Sequence, residues 1–253
     1  MSWKRYVAIG DSFTEGIGDP RPNGRDRGWA DRVAEALASE EPELAYANLA
    51  IRGRLLAAMV DEQVPIAVGL DPDLVTFAGG VNDALRRHWD LTAMAQALTD
   101  AMDALSRTRA QVVIVTYGRP SNRSKLMGAV EGRLEQYREV TYDIAGRHDC
   151  TVVDFWDHQI FDDPRFWSED RLHLNPVGHE RVAMAVLEEL GRPAGDWLRP
   201  LPAVRAPSTM VRIGRDVTWA GKHLAPWLGR RVTGRSSGDG VTPKRPALER
   251  VSS

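Results

Sequence analysis

A chain of 253 residues with 43% hydrophobic and 27% charged side chains can build a sizeable core as one large domain or two small ones. No apolar run reaches the roughly 18 residues of a membrane-spanning helix, no apolar leader opens the chain, and the single Cys150 excludes an internal disulfide framework and a cysteine-rich zinc site, so a reducing cytoplasm is the expected compartment. The net charge of -2 divides into an acidic body, with 22 Lys/Arg against 32 Asp/Glu up to residue 198, and a basic tail with 11 against 3.

The first element is the apolar run Tyr6–Ile9, which stops at Gly10 and leads at once into Asp11 and Ser12. Val33, Ala34, Leu37 and Ala38 then mark a helix, and the run Leu44–Ala50 leads into Ile51-Arg52-Gly53. A third run, Leu74–Ala78, is followed by Gly79-Gly80-Val81-Asn82-Asp83. Leu91, Met94, Ala95, Leu98, Met102 and Leu105 recur in steps of three and four, the period of a helix with one buried face. Val112–Thr116 is the fourth run and delivers Tyr117-Gly118-Arg119-Pro120; a helix follows on Leu126, Val130, Leu134, Tyr137, Thr141 and Ile144. Thr151–Phe155 is the fifth run. The last helix carries Val182, Ala183, Val186, Leu187 and Leu190, with Asn175 as its N-cap, Pro176 in its first position and Gly191-Arg192-Pro193 ending it.

Near-continuous apolar strands alternating with helices predict a doubly wound, three-layer α/β/α domain, bounded at 1–195. Residues 196–253 read as a basic extension, with Pro200, Pro202, Pro207 and "SSGDG" marking extended or flexible chain. Within it Trp219, Leu224, Trp227 and Leu228 form a candidate apolar face. Its expected role is to dock on the acidic body; contact with a membrane is the less favoured alternative, and nucleic acid is not an expected partner.

Ligands of open α/β sheets bind beyond the carboxyl ends of the strands. Ser12, Gly53, Asn82, Asp170 and His173 all fall on that edge. The set is complete for acyl transfer: Ser12 as nucleophile, His173 as its base, and Asp170 to hold the imidazole tautomer and offset the imidazolium charge. The amide N–H groups of Ser12 and Gly53 and the side-chain amide of Asn82 can serve as oxyanion donors, each typically worth ~3–4 kcal/mol of barrier. A glycine at 53 also lets the backbone come close to the reacting group.

"GDSFTEG" (10–16), the lone Gly53 after "NLAIR", "GVND" (80–83) and "DRLHLNPVGH" (170–179) resemble, in order and approximate spacing, the four blocks of the SGNH hydrolases, or GDSL-type esterases and lipases. The resemblance covers about residues 5–190. It implies a flavodoxin-like fold with a parallel five-stranded sheet in the order 2-1-3-4-5, the same triad of Ser12, Asp170 and His173, the same oxyanion hole of Ser12, Gly53 and Asn82, and neither cofactor nor metal. The implied partner is a small-molecule acyl ester.

Asp11, Asp83, His88 and Trp89 are candidate pocket residues, although Asp83 reads more as a residue that holds its loop; His179 reads as structural. Polar loops at the active edge, such as "GDPRPNGRDRG" (18–28) and "RRHWD" (86–90), point to short acyl groups, acetyl to butyryl. Acyl transfer, or lysophospholipase or thioesterase action at the same site, stays open, as does a catalytically inactive binding module on the same fold. An aspartyl-phosphate role for Asp11 leaves Asp170 and His173 unexplained.

Overall fold

A computed structural model of the chain describes residues 2–120, 128–203 and 237–251. Leu126, Trp219, Leu224, Trp227 and Leu228, assigned above to a helix and to an apolar face, lie outside the described residues.

Six strands form one sheet in the order β5-β4-β3-β1-β2-β6. They are β1 (Arg5–Gly10), β2 (Ala45–Asn48), β3 (Leu74–Ala78), β4 (Gln111–Val115), β5 (Thr151–Val153) and β6 (Arg245–Arg250). The first five are parallel, in the expected order. The expectation of five strands is corrected by β6, which comes from the basic extension and pairs antiparallel with β2, from Asn48↔Arg245 to Ala45↔Arg250. The end of the tail is thus part of the sheet of the domain that precedes it.

Eight α-helices are described: α1 (Ser12–Glu15), α2 (Gly28–Glu40), α3 (Leu56–Glu62), α4 (Val64–Gly69), α5 (Val81–Ala84), α6 (Leu91–Leu105), α7 (Glu131–Arg147) and α8 (Pro176–Glu189). Side chains alternate across the strands, so each face has its own core. Tyr6, Ala8, Val113 and Val115 face α2 and α8, where Trp29, Val33, Val182 and Val186 are buried. Val7, Ile9, Val112 and Ile114 face the other layer, with Met59, Leu98, Met102 and Ile144.

Burial of the strand ends is what positions the site. Gly10 has no room for a side chain: a Cβ would lie 2.3 Å from Thr14 Oγ1 and 2.8 Å from the Ala78 carbonyl oxygen. That close approach lets α1 turn sharply off β1. Asp11 caps the turn, its Oδ1 accepting from the Phe13 N–H at 3.0 Å. The side chain of Gln63, buried between α3 and α4, pairs with Gly10 as another strand would: Oε1 accepts from its N–H and Nε2 donates to its carbonyl, both at 2.9 Å.

Candidate functional site

The loop ahead of α8 is built around one carboxylate. Asp170 Oδ1 accepts from the N–H groups of Leu172 (2.9 Å) and His173 (3.0 Å), and the Ser168 hydroxyl lies 2.9 Å from it. Arg171, at φ 57°, takes the left-handed conformation that closes this turn. The other carboxylate oxygen, Oδ2, is 2.6 Å from His173 Nδ1. Asn175 fixes the far end, accepting from Val177 and Gly178 N–H and donating to the Arg165 and Trp167 carbonyls.

This turn holds the imidazole over α1. His173 Nε2 is 2.9 Å from Ser12 Oγ, so Ser12, His173 and Asp170 form one hydrogen-bonded line across 161 residues of chain. Burial by itself would raise the Asp170 carboxyl. The His173 side chain and the two backbone N–H groups outweigh that and hold it well below the ordinary carboxylate range. Asp170 is therefore an anion, and an anion facing Nδ1 favours the tautomer that leaves Nε2 free to accept the serine proton.

Asn82, on α5, sits beside this line. Its Nδ2 donates to Asp11 Oδ2 at 2.8 Å and to the Arg54 carbonyl at 3.1 Å. Asp11 is buried, and burial raises its carboxyl to about 6, opposed by the Phe13 N–H. Gly53 lies on the adjoining loop with φ 73°, a left-handed conformation that a side chain would strain. Glu15, three residues past Ser12, anchors that loop: its carboxylate accepts from the Arg52 N–H at 2.7 Å and pairs with the Arg52 guanidinium.

Ser12, His173, Asn82 and Asp11 open onto a cleft with about 1030 Å³ of empty space, its solvent-open mouth included. Its walls include Tyr117 and Phe155 just past the ends of β4 and β5, Leu134 on α7, Phe161, and Trp167 and Leu174 on either side of the His173 loop. Tyr117 brings a phenol oxygen that has no hydrogen-bond partner among the described residues.

Three of the expected pocket residues are not in this wall, and Gly53 is not among its lining residues either. Asp83 points away and accepts from the Leu56 N–H at the start of α3, at 3.1 Å to Oδ2. Trp89 packs under the Arg133 guanidinium, 5.8 Å from its ring centre, and His88 is exposed. His179 is structural as expected: fully buried, it accepts from the Trp29 N–H at Nδ1 and donates from Nε2 to the Ile17 carbonyl, both at 3.2 Å. Burial drops its basicity to about 4, so it is neutral.

Asp83 allows a test of this placement. Its burial raises the carboxyl from 3.8 to about 6, only partly opposed by the Leu56 N–H. The fold thus prefers the protonated form, and the stability this group contributes is present below about pH 4 and lost as pH rises through about 6. Relative to wild type, Asp83→Asn is expected to gain roughly 3 kcal/mol of unfolding free energy between pH 4 and 7. Urea melts across that range would show it; a difference independent of pH would put Asp83 in solvent.

Residues 8–181 match the model of the GDSL-like lipase/acylhydrolase family. An arylesterase of Vibrio mimicus is 22% identical over 191 residues, covering 74% of this chain and 88% of its own. Among solved structures, LAE5, an alpha/beta hydrolase from the metagenome of Lake Arreo, Spain, superposes with a TM-score of 0.62 at 24% identity, over 74% of this chain and 95% of its own. Axe2, an acetylxylan esterase from Geobacillus stearothermophilus, does so with a TM-score of 0.62 at 21% identity, over 78% and 96%.

Proposed function

We propose, given that this chain belongs to the GDSL-like lipase/acylhydrolase family and is a carboxylic ester hydrolase, that it cleaves small esters of short acids through an acyl-enzyme on Ser12. The observation that carries the reading is the pair of short contacts, 2.9 Å from Ser12 Oγ to His173 Nε2 and 2.6 Å from Nδ1 to Asp170. Ser12 Oγ attacks the ester carbonyl as Nε2 takes its proton. The oxyanion meets the N–H groups of Ser12 and Gly53 and the amide of Asn82, which exchanges its longer bond, to Arg54, for the substrate oxygen. His173 then returns the proton to the leaving alcohol, and a water repeats the sequence to free the acid.

The same proton transfer locates the leaving alcohol. It must lie on the His173 side, where Trp167, Leu172 and Leu174 supply an apolar wall. Aryl or other apolar alcohols esterified with short acids fit that division; an arylesterase is among the chain's relatives, and an enzyme of acetyl esters, the acetylxylan esterase, shares its fold. Purified protein should turn over p-nitrophenyl acetate and be blocked stoichiometrically by a serine-directed phosphonate. The rate should fall for acyl chains beyond butyryl. Benzyl acetate should exceed ethyl acetate in kcat/KM by about tenfold, from the extra apolar surface buried. A folded protein inert to all these esters would end the proposal; faster cleavage of octanoyl esters would move the apolar wall to the acyl side.

A further inference from the structure

The segment after residue 236 reaches the loop that carries Gly53, and nothing in the chemistry above uses it. Because Arg245 pairs with Asn48, at the carboxyl end of β2, residues 237–244 approach β6 along the active edge of the sheet. Gly238 is buried there. A Cβ on it would fall 2.1 Å from the Arg52 carbonyl oxygen and 2.9 Å from Ile51 Cγ2. Its φ lies outside the left-handed region, so contact alone excludes a side chain. Six residues on, Lys244 anchors the segment. Its Nζ donates to the Arg27 carbonyl at 2.6 Å and the Asp26 carbonyl at 3.2 Å, and pairs with Asp31 at 2.8 Å.

The Arg52 carbonyl and the Gly53 N–H are two ends of one rigid peptide plane, so turning one turns the other. Glu15 grips Arg52 from the side of α1, and Gly238 closes on its carbonyl from the side of the C-terminal segment. We infer that residues 237–244 buttress the Arg52–Gly53 peptide and aim the Gly53 N–H at the oxyanion, which makes Gly238 a positioning residue for ester cleavage. The inference rests on the reading of Gly53 as an oxyanion donor.

Full-length Gly238→Ala and Gly238→Val test it, with active sites counted by phosphonate titration. The turnover of p-nitrophenyl acetate per titrated site should fall about tenfold for Ala and about a hundredfold for Val, the loss expected of one misplaced oxyanion donor, with KM within about twofold. Affinity for a trifluoromethyl ketone should fall in parallel with kcat: Ser12 Oγ bonds its carbonyl carbon, His173 takes the proton and the ketone oxygen becomes an anion. Affinity for the matching methyl ketone, which stays neutral, should not change. Full kcat per site with a lowered Tm would overturn the inference, and so would equal losses for both ketones. If the valine variant does not fold, the alanine variant is read by the same criteria. Wild type that is active, dead as Ser12→Ala and indifferent at Gly238 sinks only the buttress; wild type without esterase activity overturns both readings.

Discussion

Ser12→Ala is expected to lower kcat/KM for p-nitrophenyl acetate by at least about 10⁴-fold, because loss of a nucleophile leaves only binding and oxyanion stabilisation. The one other hydroxyl on α1 cannot take over. Thr14 is fully buried and its Oγ1 is turned onto Gly10, away from the cleft. The fold should tolerate the change: Ser12 is only partly buried, and the helix cap is made by Asp11. Tm and circular dichroism should stay close to wild type, and mass spectrometry should find no phosphonate adduct. Unchanged turnover in a folded variant would remove Ser12 from the chemistry.

Asp170→Asn is expected to cost about 10⁴-fold in kcat, the size associated with a histidine held in the wrong tautomer. The reason lies in how the two carboxylate oxygens divide their work. Oδ1 accepts from the loop's own N–H groups and Oδ2 faces His173 Nδ1. An asparagine keeps its carbonyl oxygen toward those backbone donors and so presents its NH2 to Nδ1. Nδ1 then accepts, Nε2 carries the proton, and Ser12 loses its base. The loop should survive, so the loss should appear in kcat with little change in Tm. Loss of less than about tenfold would mean that backbone groups alone orient the imidazole.

Much of this was legible in the sequence, for physical reasons that also mark where legibility stopped. Parallel strands covered on both faces carry apolar side chains on both sides, so β1, β3 and β4 stand out as apolar runs. Ser12, Asn82 and His173 stand out because each follows a strand end or precedes a helix cap. β6 does not: three of the six residues of Arg245–Arg250 are charged and four are exposed, and its strand state comes from backbone pairing to the edge of β2, where even Pro246 is tolerated. The Gln63–Gly10 and Glu15–Arg52 pairs join residues 53 and 37 apart, with no local spacing to betray them. Asp83 holds its loop, the favoured of its two readings. It adjoins Asn82, but one helical step turns a side chain by about 100°, enough to send the carboxylate to Leu56 instead of the cleft.

The placement of β6 also sets an order of events at the ribosome. About 200 residues separate β2 from the strand that covers it, a delay of roughly 10–40 s at ordinary rates of synthesis. Throughout that interval the outer N–H and C=O groups of Ala45–Asn48 have no strand beside them, and once β5 is made the five parallel strands can assemble with that edge still open. An open strand edge pairs readily with any other, including one on a neighbouring nascent chain. Ribosomes crowded on one message, or translation that stalls before residue 245, would therefore expose this protein to self-association at a surface that the finished molecule keeps covered.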